Sequence, residues 1–184
     1  MIASDLTSII IPCWNEVAYT RQCLAAVIRH TTRPFEIVVI DNGSTDGTHL
    51  YLAGVADGAS IPVTVIRNAA NRGFPAAVNQ GLAAAARGEF LVLLNNDAVV
   101  TDGWLDQLVA LASSDPRIGL VGPMSNYASP PQLVEGVPYA DLDQMHEFAR
   151  RWRDEHRGEW FTTAKLSGFC LLMKRSVLDA IGGL

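Results

Sequence analysis

Four strand-sized runs dominated by aliphatic side chains lie in the first half of the chain, at residues 6–11, 35–40, 62–66 and 90–94. Their apolar density predicts strands buried on both faces. Pro12 closes the first run and Asp41 the second. Between them the spacing turns helical. Leu24, Val27 and Ile28 set an apolar stripe on a helix that opens after Asn15 and Glu16 and ends near His30. Asn42-Gly43 after an apolar run is a hairpin signal, but residues 48–52 do not alternate as a returning strand would. The pattern instead predicts a loop feeding a helix capped by Ser44 or Thr45. A loop at 68–73 precedes a helix at 75–86 with proline in its first turn, ended by Gly88. Thr101 or Asp102 is the expected cap of a helix at 104–112, and Asp115-Pro116 precedes a short strand at 118–121.

This alternation predicts an α/β domain with a mostly parallel sheet flanked by helices. The character changes at Pro123. Pro130-Pro131, Gly136 and Pro138 make a long loop, and Asp141 caps a charged helix to about residue 153. Long loops inside compact domains tend to be functional, so 124–158 is expected to be a lid or insert. A further strand at 165–174 and a helix from Ser176 complete the pattern.

Composition narrows the classes. With 184 residues, the chain suits a single domain. Apolar residues make up 49% and charged ones 18%, which excludes a disordered chain. A net charge of −5 and a pI near 5.3 argue against a nucleic-acid partner. No basic region followed by an apolar core opens the chain, and no apolar run approaches a bilayer span. Cys13, Cys23 and Cys170 show no paired spacing, which predicts reduced thiols. The expected location is the cytoplasm, up to the cytoplasmic face of a membrane. The histidines lack metal-site spacing and are expected to be surface or cap residues.

Polar residues gather at four strand ends: Asn15-Glu16, Asp41-Asn42, Asn68 with Asn71-Arg72, and Asn95-Asn96-Asp97. In a parallel sheet these ends share one edge, where ligands of open α/β folds bind. A nucleotide suits them. Asp41 can accept from a base imide or ribose hydroxyl, Arg72 can pair with a phosphate, and Asp97 can hold a divalent cation that neutralises a diphosphate. Neither the P-loop nor the G-x-G-x-x-G cradle occurs, so metal and arginine must carry the phosphate charge.

Four ordered segments, SIIIPCWNE (8–16), VVIDNGSTDGT (38–48), NRGFPAAVNQG (71–81) and GEFLVLLNND (88–97), resemble the motifs of family 2 glycosyltransferases with the GT-A fold. The resemblance runs from about Thr7 to the last residue. It implies a GT-A, Rossmann-like single domain. It also implies inverting transfer of a hexosyl or rhamnosyl sugar from a UDP or dTDP sugar to a glycan, lipid or protein, as in polysaccharide biosynthesis. On that resemblance Asp41, with Asn42 beside it, contacts the base. Pro12, Trp14, Asn15 and Glu16 line the nucleoside pocket, and Arg72 lies near base or phosphate. Asn96 faces the ribose beside Asn95, and Asp97 binds Mn²⁺ or Mg²⁺. Gly168 and Phe169 border the sugar and acceptor. The family's general base, an aspartate, follows the segment matching AIGG (180–183), beyond Leu184, so no residue here takes that role and a C-terminally shortened enzyme is expected. Glu135, Asp141 and Glu147 lie in the lid region without a motif that places them. The competing expectation is a nucleotide-sugar-binding module or inactive fragment without catalysis. A nucleotidyltransferase is disfavoured, because no glycine-rich basic loop follows the first strand.

Overall fold

The computed structural model describes residues 6–85 and 88–184. Its elements are β1 (Thr7–Cys13), α1 (Val17–His30), β2 (Phe35–Asp41), α2 (Thr48–Gly58), β3 (Val63–Arg67), α3 (Phe74–Ala84), β4 (Phe90–Leu94), α4 (Trp104–Ser114), β5 (Leu120–Val121), α5 (Leu142–Glu155), β6 (Cys170–Lys174) and α6 (Arg175–Ile181). One sheet orders them β3-β2-β1-β4-β6-β5. The pairs β1–β2, β2–β3 and β1–β4 are parallel, and β6 runs antiparallel to both β4 and β5. The mostly parallel α/β sheet expected from the sequence is therefore present.

Alternate side chains of the strands enter opposite layers. Ile9, Ile11, Ile37, Val39 and Val92 pack with α1 and α4, whereas Ile10, Val38, Ile40, Leu91 and Leu93 pack with α3. Gly81 brings α3 close to the sheet, since a Cβ there would fall 2.3 Å from the Ile10 side chain.

Several expected boundaries move. Pro12 lies within β1 instead of ending it. The Leu6 carbonyl bonds toward β4 and the Thr7 N–H toward the β2 side, so by alternation the Pro12 nitrogen faces β4, whose pairing stops at Ile10. No ladder bond is lost there. The strand expected at 118–121 shrinks to Leu120–Val121, and that expected at 165–174 to Cys170–Lys174, the stretch that β4 pairs. Helix α3 ends at Ala84, and the expected extension to residue 86 lies outside the described residues. Gly88 does not cap it but sits against Ser8, where a Cβ would meet the backbone nitrogen at 2.8 Å. The expected caps Ser44, Thr45, Thr101 and Asp102 do not cap. Gly47 and Gly103 occupy the N-cap positions, and neighbouring elements bond those side chains or their backbone, as the site makes clear. Asp141 caps α5 as expected, accepting from the Gln144 N–H at 2.9 Å. Among the described residues no helix is long and apolar enough to cross a membrane.

Candidate active site

Parallel pairing puts the ends of β1, β2, β3 and β4 on one edge, as the sequence predicts. After β1, Asn15 and Glu16 adopt left-handed backbone, with φ of 57° and 58°. Their loop is pinned to the one after β2. The Asn15 N–H donates to Ser44 Oγ, and Asn15 Oδ1 accepts from the Thr45 N–H, both at 2.8 Å. Asp46 then serves two helices, accepting from the Val17 N–H at 3.1 Å and the Thr48 N–H at 2.9 Å. The Thr48 side chain first, and then these N–H bonds, hold its carboxyl below the usual carboxylate range. Trp14 is 55% exposed at the mouth, beside half-buried Pro12. Cys13 is buried and bonded to the Ile40 carbonyl, and burial, with Asp41's charge behind it, pushes its thiol up to about 12. It is an inert wall.

Asp41 closes β2 fully buried, with Oδ1 accepting the Ser44 N–H at 2.8 Å. Its other oxygen faces Arg67, whose Nε lies 3.6 Å away. Asn42 is the hub of a buried amide network. Its Nδ2 donates to Asn71 Oδ1 and the Gly73 carbonyl, and its Oδ1 accepts from Asn68 Nδ2 and the Arg72 N–H. Asn68 and Gln80 exchange reciprocal bonds at 2.8 and 2.9 Å. Asn42 thus faces the framework, and through it the backbone of Arg72 is fixed while its side chain stays exposed.

After β4, the Asn95 N–H donates to the Phe169 carbonyl at 2.8 Å, which brings the 167–170 segment alongside. Asn96 Nδ2 donates to Thr20 Oγ1 at 3.0 Å. Asp97 is exposed, and its carboxylate makes no hydrogen bond or ion pair among the described residues. No cluster of three or more His, Cys, Asp or Glu side chains suited to a metal occurs among them either. One free carboxylate fits a hard cation such as Mn²⁺ or Mg²⁺ only if a bound ligand's oxygens and water complete the shell. A groove of about 1930 Å³ leads from Asn95 and Asp97 past Phe169 toward Tyr139, Phe148 and Trp152. Gly168 is exposed beside it. Buried Gln132 braces its wall, accepting the Ser167 N–H at 2.6 Å and donating to the Pro123 carbonyl at 2.7 Å.

Helix α5 packs against the C-terminal end of α1 and the turn before α4. His30 and Asp102 meet at 2.6 Å, and the His30 ring stacks on His146 at 4.4 Å. Asp102 is therefore engaged by His30, not by α4. Trp104 is a buried anchor, bonded to Thr31 Oγ1 at 3.0 Å. Sequence reasoning missed Asp46, Arg67 and Gln132. Arg67 was accessible in principle, because a third strand one residue longer puts it in register with Asp41.

Residues 8–182 match Glycosyl transferase family 2. The N-acetylglucosaminyl-diphospho-decaprenol L-rhamnosyltransferase of Mycobacterium tuberculosis is 29% identical over 204 residues, covering 98% of this chain and 65% of its own. The mannosyltransferase PcManGT from Pyrobaculum calidifontis, solved with GDP-Man and Mn²⁺, superposes with a TM-score of 0.71 over 96% of this chain at 24% identity. S. aureus TarS 1-349, solved with UDP-GlcNAc, superposes with a TM-score of 0.66 over 95% at 20% identity. The chain spans 46% of each of those two structures, and they share the GT-A fold with it.

Proposed function

Given that the chain belongs to glycosyl transferase family 2, we propose that it forms the donor-binding part of an inverting transferase. It would move a hexosyl or rhamnosyl sugar from a UDP or dTDP sugar to an acceptor in polysaccharide assembly. The observation that carries this is the spacing of two acids on one edge. Asp41 ends β2 and Asp97 follows β4, with β1 between them. Two strand spacings put the axes of β2 and β4 roughly 10 Å apart, a span that an extended nucleoside diphosphate bridges from base to phosphates.

In this arrangement Asp41 accepts from the base and Trp14 offers it an aromatic face, while Pro12, Asn15 and Glu16 form the loop over the nucleoside. Arg72, its backbone fixed by Asn42, pairs with phosphate. Asn96, whose amide N–H is taken by Thr20, turns its oxygen to the ribose. Asp97 would hold Mn²⁺ or Mg²⁺, which when bound supplies positive charge for the diphosphate leaving group. Gly168 and Phe169 border the sugar, and the 124–158 segment acts as the lid. Deprotonation of the acceptor hydroxyl is assigned to none of the described residues, and Asp141 is committed to capping α5.

Calorimetric titration with UDP in the presence of Mn²⁺ tests this. Asp97→Ala and Asp41→Ala should each weaken binding by about tenfold or more, the loss of one charge-assisted contact. Undiminished affinity in both variants would sink the site assignment.

A further inference from the structure

Asp41 is bonded incompletely. Its side chain retains 1% exposure, yet only Oδ1 has a hydrogen-bond donor. Oδ2 is buried without one. The cation facing it, Arg67, places Nε at 3.6 Å, too far for a good hydrogen bond. Asp41 and Arg67 are register partners and the last residues of β2 and β3, so the sheet fixes both backbones. The Arg67 side chain is 57% exposed and borders a cavity of about 560 Å³ together with Gly43, Thr45, His49 and Asn68. A buried carboxylate oxygen with no donor is unfavourable until something completes it. The Arg67 guanidinium can swing toward solvent to admit that group.

Resting on the donor-site reading above, we propose that Arg67 is a specificity-determining residue for the nucleobase. It shields the free oxygen of Asp41, and on binding it donates to a base carbonyl while Asp41 accepts the neighbouring ring N–H. A carboxylate in this role only accepts and a guanidinium only donates. Uracil and thymine present a ring N–H flanked by carbonyl oxygens, which matches the pair. Cytosine presents a bare ring nitrogen at that position and would set lone pair against lone pair. Arg72, whose backbone N–H is held by Asn42 on the adjoining loop, is the residue assigned to phosphate.

The test titrates the whole chain with UDP and CDP, each with Mn²⁺, for the unaltered protein, Arg67→Ala and Arg67→Lys. The unaltered chain should prefer UDP. Arg67→Ala should lower UDP affinity about tenfold, as expected for one charge-assisted bond, and leave CDP affinity nearly unchanged. The preference then narrows by about that factor, with Asp41 still favouring the ring N–H. Arg67→Lys keeps the charge without the fork and should fall between. Equal melting temperatures would show that the fold is retained. An unchanged UDP-to-CDP ratio in Arg67→Ala overturns the proposal, including the case where both affinities fall together. If the unaltered chain binds no nucleoside diphosphate, the donor-site reading fails as well. Binding with an unmoved ratio removes Arg67's role alone.

Discussion

Ile9, Ile37 and Val92, at the centre of the parallel strands, are completely buried, whereas α5 has no buried residue. The edge carrying Asp41 and Asp97 is built on the first kind of structure, with apolar strands beneath and amides bonded to one another above. The 139–158 stretch is held by the second kind, through contacts such as His30 stacked on His146 at 4.4 Å and Arg153 donating to the Asp102 carbonyl. A preformed edge fixes where a ligand's charged groups go without first ordering side chains. A segment joined by a few exposed contacts opens at little cost, which suits a lid.

This contrast can be broken by mutation. The largest effect belongs to the sheet. Ile37→Ala should cost about 2–5 kcal/mol in urea unfolding, whereas Phe148→Ala on α5 should cost under about 1 kcal/mol. Comparable losses would mean that α5 is part of the core. Next comes the amide network. Asn42→Ala strands buried or fixed partners on Asn68, Asn71 and Arg72, and should cost about 1–3 kcal/mol. It should also weaken UDP binding, because the Arg72 loop loses its anchor.

Asp46 ranks third. Capping two helices, it should contribute about 0.5–2 kcal/mol, the ordinary worth of a cap. Its folded carboxyl titrates below the ordinary 3.8. The contribution is therefore complete above that value and is lost as the pH falls through the lower folded value. Asp46→Asn should flatten that limb of an acid titration followed by circular dichroism. The smallest effect is at His146, where burial, then the charge of His30, pulls the ring below its ordinary 6.5. The unfolded chain takes up this proton first, so stability declines as the pH drops below about 6.5. His30, Asp102, Arg29 and Asp143 all act on this ring. Protection of the α5 amides, taken relative to intrinsic exchange, should fall between pH 7 and 5, and His146→Phe should remove that fall.

The parallel half was legible because a strand buried on both faces leaves a dense aliphatic run, and the turn at its end leaves polar letters. Asp41, Arg72 and Asp97 fall on one edge as those letters imply. Helix caps were not legible. Ser44 and Asp102 have the right chemistry, but bonds from Asn15 and His30, distant in sequence, claim them. Arg67 was hidden by a strand end misplaced by one residue. The stretch before Cys170 looks like strand and is not, because β4 pairs only with Cys170–Lys174.

Asp97 is the proposed link between metal and nucleotide. The most direct measurement is the affinity for UDP with Mn²⁺ and with chelator, in the unaltered chain and in Asp97→Asn. The unaltered chain should lose about tenfold or more when the metal is removed, and Asp97→Asn should bind UDP equally weakly in both conditions. An Asp97→Asn chain that gains as much from Mn²⁺ as the unaltered protein would contradict the account.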